Sequence, residues 1–243
     1  MIRARALRKA YGDFQVLKNL DFELQSGAIT GLAGPNASGK STLVKCLLSL
    51  VLLDSGELWL EEQRLGGDAD YREKIGFMPQ DAEFPLNIAP FEYFKLLQSL
   101  RAKNSRNLPE LLAAFELEPY LRKPFSKLSA GTRQKIAAVG ALMFEAPLLI
   151  LDEPTAGLDP VACNTFKRLL KNANANGATV LIVSHIMSEL EQLVENLFFL
   201  LEGELLFCGA LDELRNKTEE INLEEGIIKL ISQRFSCAVG ARA

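Results

Sequence analysis

Apolar residues recur along this chain in short blocks whose period changes from two to three or four. Up to Leu32 they alternate with polar residues or sit in brief runs: Ile2 to Leu7, Val16-Leu17, Leu20-Asp21-Phe22-Glu23-Leu24 and Ile29 to Leu32. Such patterns predict short strands, with Ser26-Gly27 as the turn before the last of them. Leu43 to Leu48 reads as helix. Leu58-Trp59-Leu60 reads as a strand after the turn Asp54-Ser55-Gly56-Glu57. Residues 61–74 are polar and loop-like, and Ile75-Gly76-Phe77-Met78 is a short strand closed by Pro79, with Gln80 behind it.

From about residue 84 to 140 the spacing turns helical. Phe91, Phe94, Leu97 and Leu100 mark one amphipathic helix. Leu108 to Phe115 marks another, with Pro109 in its first turn. The aromatics Phe84, Phe91, Tyr93 and Phe94 read as core, with a partner-binding groove as the alternative. Ser129 suits the N-cap of a helix running to about Phe144. Leu148-Leu149-Ile150-Leu151 is wholly apolar and ends in Asp152-Glu153, which is how a central parallel strand reads. A helix through Phe166, Leu169, Leu170 and Ala173 ends near Asn176-Gly177. Thr179 to Val183 is a second buried strand, with Ser184-His185 just past it. Leu190, Leu193, Val194 and Leu197 keep helical spacing, residues 198–207 form a hairpin about Glu202-Gly203, and the charged tail from 210 is partly helical. The prediction is an α/β fold with a mainly parallel core sheet and an inserted helical segment.

Composition narrows the class. The 243 residues are enough for one large domain or a domain with an inserted subdomain, and with 48% of them apolar a sizeable core can be buried. A formal charge of −4 argues against a nucleic-acid surface as the main business. Cys46, Cys163, Cys208 and Cys237 are scattered, which suits reduced thiols better than a disulfide framework or a metal site. The longest apolar run, Cys46 to Leu53, contains Ser49 and is far too short to span a bilayer. No apolar segment follows Met1-Ile2-Arg3-Ala4-Arg5, so no signal peptide is readable. A cytoplasmic protein is expected, with any membrane role coming through a partner.

The strongest chemical signal is Gly34-Pro35-Asn36-Ala37-Ser38-Gly39-Lys40-Ser41-Thr42, which fits G-x-x-x-x-G-K-[ST] without a mismatch. A Gly/Ser turn before an ordinary helix is the plain alternative. The strand before it and the helix after it are the context a phosphate loop requires. Gly34 and Gly39 let backbone N–H groups turn inward, and the helix adds its positive end. Lys40 would reach the β- and γ-phosphates of a nucleotide, and Ser41 would hold Mg²⁺. Asp152, at a strand end, suits Mg²⁺, directly or through water. Glu153, turned the other way, would polarise an attacking water. His185, the only histidine, falls at the ligand edge of the sheet. Tyr11, placed in the loop after the first strand, could stack on an adenine for about 1 kcal/mol. Asn216-Lys217-Thr218-Glu219 comes near a guanine-binding motif, but it ends in Glu and lies in the charged tail.

Taken in order, these motifs resemble the ATP-binding cassette (ABC) ATPases, over residues 2 to about 215. The matching segments are the phosphate loop, Gln80, Leu128-Ser129-Ala130-Gly131-Thr132, Leu148 to Pro154, Ala156-Gly157-Leu158-Asp159 and His185. The resemblance implies one ATPase domain over 1–243, with an N-terminal antiparallel β subdomain, a helical subdomain at about 84–140 and a tail at about 211–243. It implies ATP and Mg²⁺ as cofactors, with Ser41, Gln80 and Asp152 toward the metal. It implies that His185 contacts the γ-phosphate and that Gln80 senses the nucleotide. Ser129 and Gly131 would complete the site of a second copy in a head-to-tail dimer sandwiching two ATPs, with Asp159 at that interface. The usual signature is Leu-Ser-Gly-Gly-Gln; Ala130, Thr132 and, in the phosphate loop, Ala37 depart from family habit.

Among ABC proteins, Thr132-Arg133-Gln134-Lys135, residues 184–189 and residues 198–204 look like ATPases paired with ABC-2-type permeases. Within these the likeness extends to the subgroup associated with copper handling and nitrous oxide reductase maturation, although nothing in the chain is a copper site. The expected partners are a second copy and an integral membrane permease docking near Gln80 to Tyr93, with no nucleic acid. The rival is a soluble ABC ATPase acting on ribosomes or DNA, whose usual second cassette, coiled coils and basic arms are not seen in this sequence.

Overall fold

The computed structural model describes residues 2–65, 70–101, 105 and 107–240, the side chains of 235–240 excepted. Part of the polar stretch 61–74, the Cys237 thiol and the end of the tail lie outside the described residues. The chain divides into two compact units: residues 1–69 with 182–243, and residues 70–181.

The first unit opens with an antiparallel pair, β1 (Ile2–Tyr11) and β2 (Phe14–Leu24). Both strands outrun the alternation in the sequence. The cause is irregular register: Ala6 and Asn19 have φ of 49° and 61°, and the pairing shifts between Ala4 and Leu7. Bulges of this kind break the two-residue period. Ile2, Ala4, Leu7, Leu17, Leu20, Phe22 and Leu24 still reach the core. Tyr11 is the last residue of β1, paired with Phe14, rather than a loop residue. Next come β3 (Ile29–Ala33), buried throughout, and α1 (Lys40–Leu47). β4 (Ser55–Leu60) and β5 (Gln63–Leu65) complete an antiparallel sheet of order β2-β1-β4-β5.

The second unit starts with a 3₁₀ turn, Asp70–Lys74, followed by β6 (Ile75–Met78). Its helices are α2 (Pro90–Leu100), α3 (Leu108–Ala114), α4 (Ala130–Leu142) and α5 (Pro160–Ala175). β7 (Leu148–Asp152) runs parallel to β6, with Met78 opposite Leu151. An aromatic cluster anchors α2: Phe84 stacks on Phe125 at 4.1 Å, and Tyr93 meets Phe84 edge-on at 5.0 Å. Phe94 is buried beside them, whereas Phe91 is exposed, so the expected aromatic core is only partly apolar interior. Pairs of this geometry add about 0.5–1.5 kcal/mol beyond burial. The Arg101 guanidinium donates to the Glu73 and Ile75 carbonyls and lies 4.6 Å over Phe144.

β8 (Thr179–Val183) carries the chain from the second unit into the first. At its start the Thr179 N–H donates to the Pro147 carbonyl at 2.8 Å, within the second unit. Past its end the Ser184 N–H donates to the Leu32 carbonyl at 3.2 Å, within the first. There follow α6 (Met187–Leu193), β9 (Asn196–Leu201) and β10 (Glu204–Ala210). β9 is parallel to β3 and antiparallel to β10. The tail forms α7 (Leu211–Thr218) and α8 (Leu223–Gly240), with Arg234 held 2.8 Å from Glu204. Among the described residues no helix is long and apolar enough to cross a membrane.

Candidate functional site

The phosphate loop leaves the carboxyl end of β3 and enters α1 through Gly39. Gly34 is where the loop cannot carry a side chain. A Cβ there would lie 2.1 Å from the Leu200 carbonyl oxygen and 2.8 Å from Ser38 Oγ. The Ser38 carbonyl accepts from Gly203 N–H at 3.1 Å, so the β9–β10 turn props the loop from behind. The buried Ser38 hydroxyl makes no hydrogen bond. Lys40 Nζ folds back over the loop, donating to the Gly34 and Pro35 carbonyls at 2.8 and 2.9 Å. A helix N-terminus, a cradle without side-chain bulk and an ammonium poised over it suit a phosphate chain. Ser41 and Thr42 lie in the first turn of α1. Pro35, Asn36 and Ala37 are exposed at the loop tip. Ala37 has φ 61°, so the departure from glycine is accommodated in left-handed backbone, at about 1 kcal/mol.

Two more expected residues share this unit. His185 follows Ser184, whose N–H is bonded to Leu32, two residues before Gly34. It therefore emerges at the same strand end as the phosphate loop. Tyr11 is half exposed, and its backbone is pinned by a residue the sequence did not single out. The Asp54 carboxylate accepts from the Ala10 N–H and from Lys9 Nζ, both at 2.6 Å, and Lys9 Nζ lies 5.5 Å from the Tyr11 ring centroid. The Lys9 ammonium, then the Ala10 N–H, hold the Asp54 carboxyl below the usual range.

The second unit gathers the others. The β6–β7 register sets Gln80 and Asp152-Glu153 at the carboxyl end of one parallel pair. Asp152 is half-buried. Glu153 is buried, with φ 46°. Ser129 caps α4, its Oγ accepting from Thr132 N–H at 3.2 Å and lying 2.9 Å from Thr132 Oγ1. Thr132, in place of the usual glutamine, thus gives the cap a second hydroxyl. A Cβ on Gly131 would lie 2.9 Å from the Gly157 carbonyl oxygen, so α4 and the loop after β7 meet backbone to backbone. Asp159 caps α5 through Ala162 N–H at 2.8 Å and pairs with Lys135 at 3.2 Å. Gln134, also without an expected role, points its carboxamide at the Glu153 and Pro154 carbonyls. The signal was legible: Gln134 is a polar residue on the buried stripe continued by Ala137, Ala138 and Ala141. A cleft in this unit is lined by Gln80, Phe84, Leu86, Arg133, Gln134 and Gly157, among others.

A family model described as ABC transporter matches residues 17–156, more than half the chain. The chain belongs to the ABC transporter ATP-binding family. It is an ATP-binding, ATP-hydrolysing cassette of that family. The lantibiotic transport ATP-binding protein SrtF of Streptococcus pyogenes is 31% identical over 222 residues, 91% of this chain and 96% of that protein. The Nod factor export ATP-binding protein I of Cupriavidus metallidurans is 35% identical over 221 residues, 88% of this chain and 72% of that one. Among solved structures, the ATP-binding subunit of an ABC transporter matches with TM-score 0.89 at 28% identity, covering 95% of this chain and 99% of that one. A dimeric post-hydrolysis cassette bound to ADP and Pi matches with TM-score 0.79 at 26% identity, covering 87% and 99%. The ABC cassette expected from the sequence is therefore the fold found, α/β with an antiparallel sheet and mainly parallel pairing elsewhere.

Proposed function

We propose that this cassette drives an exporter: two copies bind MgATP, close head to tail, and work a separate integral membrane permease from its cytoplasmic side. The observation that carries the reading is the cradle at Gly34 with Lys40 folded over it, since backbone free of side-chain bulk beside an ammonium suits a phosphate chain. In the first unit Lys40 serves the β- and γ-phosphates, Tyr11 the adenine, Ser41 the metal, and His185 the γ-phosphate. In the second unit Asp152 and Gln80 serve the metal and Glu153 the attacking water. Ser129 and Gly131 of each copy complete the other copy's phosphate site, with Asp159 at the seam. Mg²⁺, when bound with ATP, neutralises charge on the phosphate oxygens. The cleft beside Gln80, where Phe84 and Leu86 lie among Asp81, Glu83 and Arg133, is the seat for the permease's cytoplasmic helices.

Export is favoured by the named activity of the Nod factor relative, and transport by that of SrtF. Neither points to copper, and copper is not carried into the proposal. A tagged pull-down from detergent-solubilised native membranes tests the reading. The expected result is a polytopic permease in stoichiometric yield. Recovery of ribosomes or DNA instead would replace transport with a soluble role for the same ATP site.

A further inference from the structure

Among the described residues Glu153 is the only buried carboxylate, and Gln134 the only buried carboxamide. The two residues meet through the main chain of Glu153, not through its carboxylate. Gln134 Nε2 donates to the carbonyls of both Glu153 and Pro154, at 3.4 and 3.5 Å, a long three-centred bond made inside the second unit. The backbone it grips is unusual. Glu153 leaves β7 in left-handed conformation, φ 46°, which costs a residue with a side chain about 1–2 kcal/mol. The Ala156 N–H donates to the same Glu153 carbonyl at 3.1 Å. Gln134 therefore holds the carbonyl of the residue at which the chain turns out of β7.

The grip continues on either side. One turn earlier on α4, Gly131 meets the Gly157 carbonyl; one residue later, Lys135 pairs with Asp159. Positions 131, 134 and 135 share a helix face, so the first turns of α4 clamp residues 153–159 at three points. Of the three, only the Gln134 bond acts on the residue that carries the base.

We propose that Gln134 is a positioning residue for ATP hydrolysis: acting through the main chain, its carboxamide fixes the direction in which the Glu153 carboxylate addresses the attacking water. The inference rests on Glu153 being the base, as proposed above. It predicts an effect on the chemical step and not on nucleotide affinity, because the bond acts on the main chain of the base and not on a phosphate-binding group. A displaced general base costs rate steeply, since an error of about 1 Å is worth up to about a hundred-fold.

The test uses the full chain. Gln134→Met keeps the length and volume but cannot donate. Gln134→Glu keeps the shape and sets an acceptor against two carbonyls. ATPase kcat and KM, nucleotide affinity by titration, and Tm are measured for both beside wild type and Glu153→Gln. The expected result is a kcat lowered about ten- to a hundred-fold in Gln134→Met, with ATP affinity and Tm held near wild type. Gln134→Glu falls further. A Gln134→Met protein that keeps wild-type kcat, or that loses affinity and Tm in step with kcat, overturns the proposal. Undiminished hydrolysis by Glu153→Gln would instead remove the base itself, and with it the reading on which this one stands.

Discussion

The two oxygens of the Asp159 carboxylate are divided between partners: Oδ1 accepts from the Ala162 N–H at 2.8 Å and Oδ2 lies 3.2 Å from Lys135 Nζ. One side chain thus starts α5 and ties it to the signature helix α4. The Ala162 N–H, then Lys135, hold its carboxyl below the usual carboxylate range. A folded pKa below the unfolded value, about 3.9, means stability that is present above that value and lost as pH falls through the folded one. Asp159→Ala is therefore expected to lower Tm at pH 7, with the gap to wild type narrowing below about pH 4. Thermal unfolding at pH 7, 5 and 3.5 checks this. A gap that stays constant into acid would assign the effect to something other than the ionised carboxylate.

Ala37 and Gly34 predict opposite responses in one loop. Ala37 already holds φ 61° at an exposed tip, so Ala37→Gly removes strain there but adds freedom to the unfolded chain. The two terms nearly cancel, and stability should change by less than about 1 kcal/mol, with ATP affinity kept. Gly34→Ala would thrust a methyl to 2.1 Å from the Leu200 carbonyl, a clash with backbone that only a shift of the loop can relieve. Loss of most ATP binding is expected, measured by titration with a fluorescent ATP analogue. Equal affinity in both variants would mean that the cradle does not hold phosphate.

How much of this was legible depended on whether the period of the chain survived in the fold. β3, β7 and β8 are uniformly apolar, and they stood out because buried strands have no polar face to show. The Ser129 cap was legible because capping chemistry is local. The β1–β2 pair was read too short because shifts near Ala6 and Asn19 interrupt the alternation. β5 and the 3₁₀ turn at Asp70–Lys74 are polar and short, and no hydrophobic period reports them. Asp54, which pins Ala10, and Gln134, which grips Glu153, were missed as functional residues for a different reason. Their partners are distant in sequence; the helical stripe marks Gln134 as a buried polar residue, but only packing shows what it holds.

Tyr11 ends a strand rather than floating in a loop, and this fixes what its substitution should do. With β1 pinned by Asp54, the ring is presented half exposed on an ordered backbone. Stacking on a base is worth about 0.5–1.5 kcal/mol. Tyr11→Ala is accordingly expected to weaken ATP binding about three- to ten-fold, while Tyr11→Phe keeps it. Affinity for inorganic triphosphate, which has no base, should be the same in all three proteins. A parallel loss of triphosphate binding would show that Tyr11 shapes the loop rather than meeting adenine.

Glu153 offers the test that separates binding from chemistry. Its carboxylate is buried at the end of β7, whereas the ammonium of Lys40 belongs to the phosphate loop. Glu153→Gln preserves shape and removes the base, so MgATP should bind without being cleaved. If ATP is what holds two cassettes together, its persistence should trap the pair. The expected outcome is a Glu153→Gln dimer with MgATP at micromolar concentration, in size-exclusion chromatography with light scattering, that reverts to monomer with MgADP. Lys40→Ala, added to the same protein, should abolish the dimer by removing the phosphate contact. A Glu153→Gln protein that stays monomeric with saturating MgATP would count against the sandwich, because the interaction that closes it would then be something other than ATP.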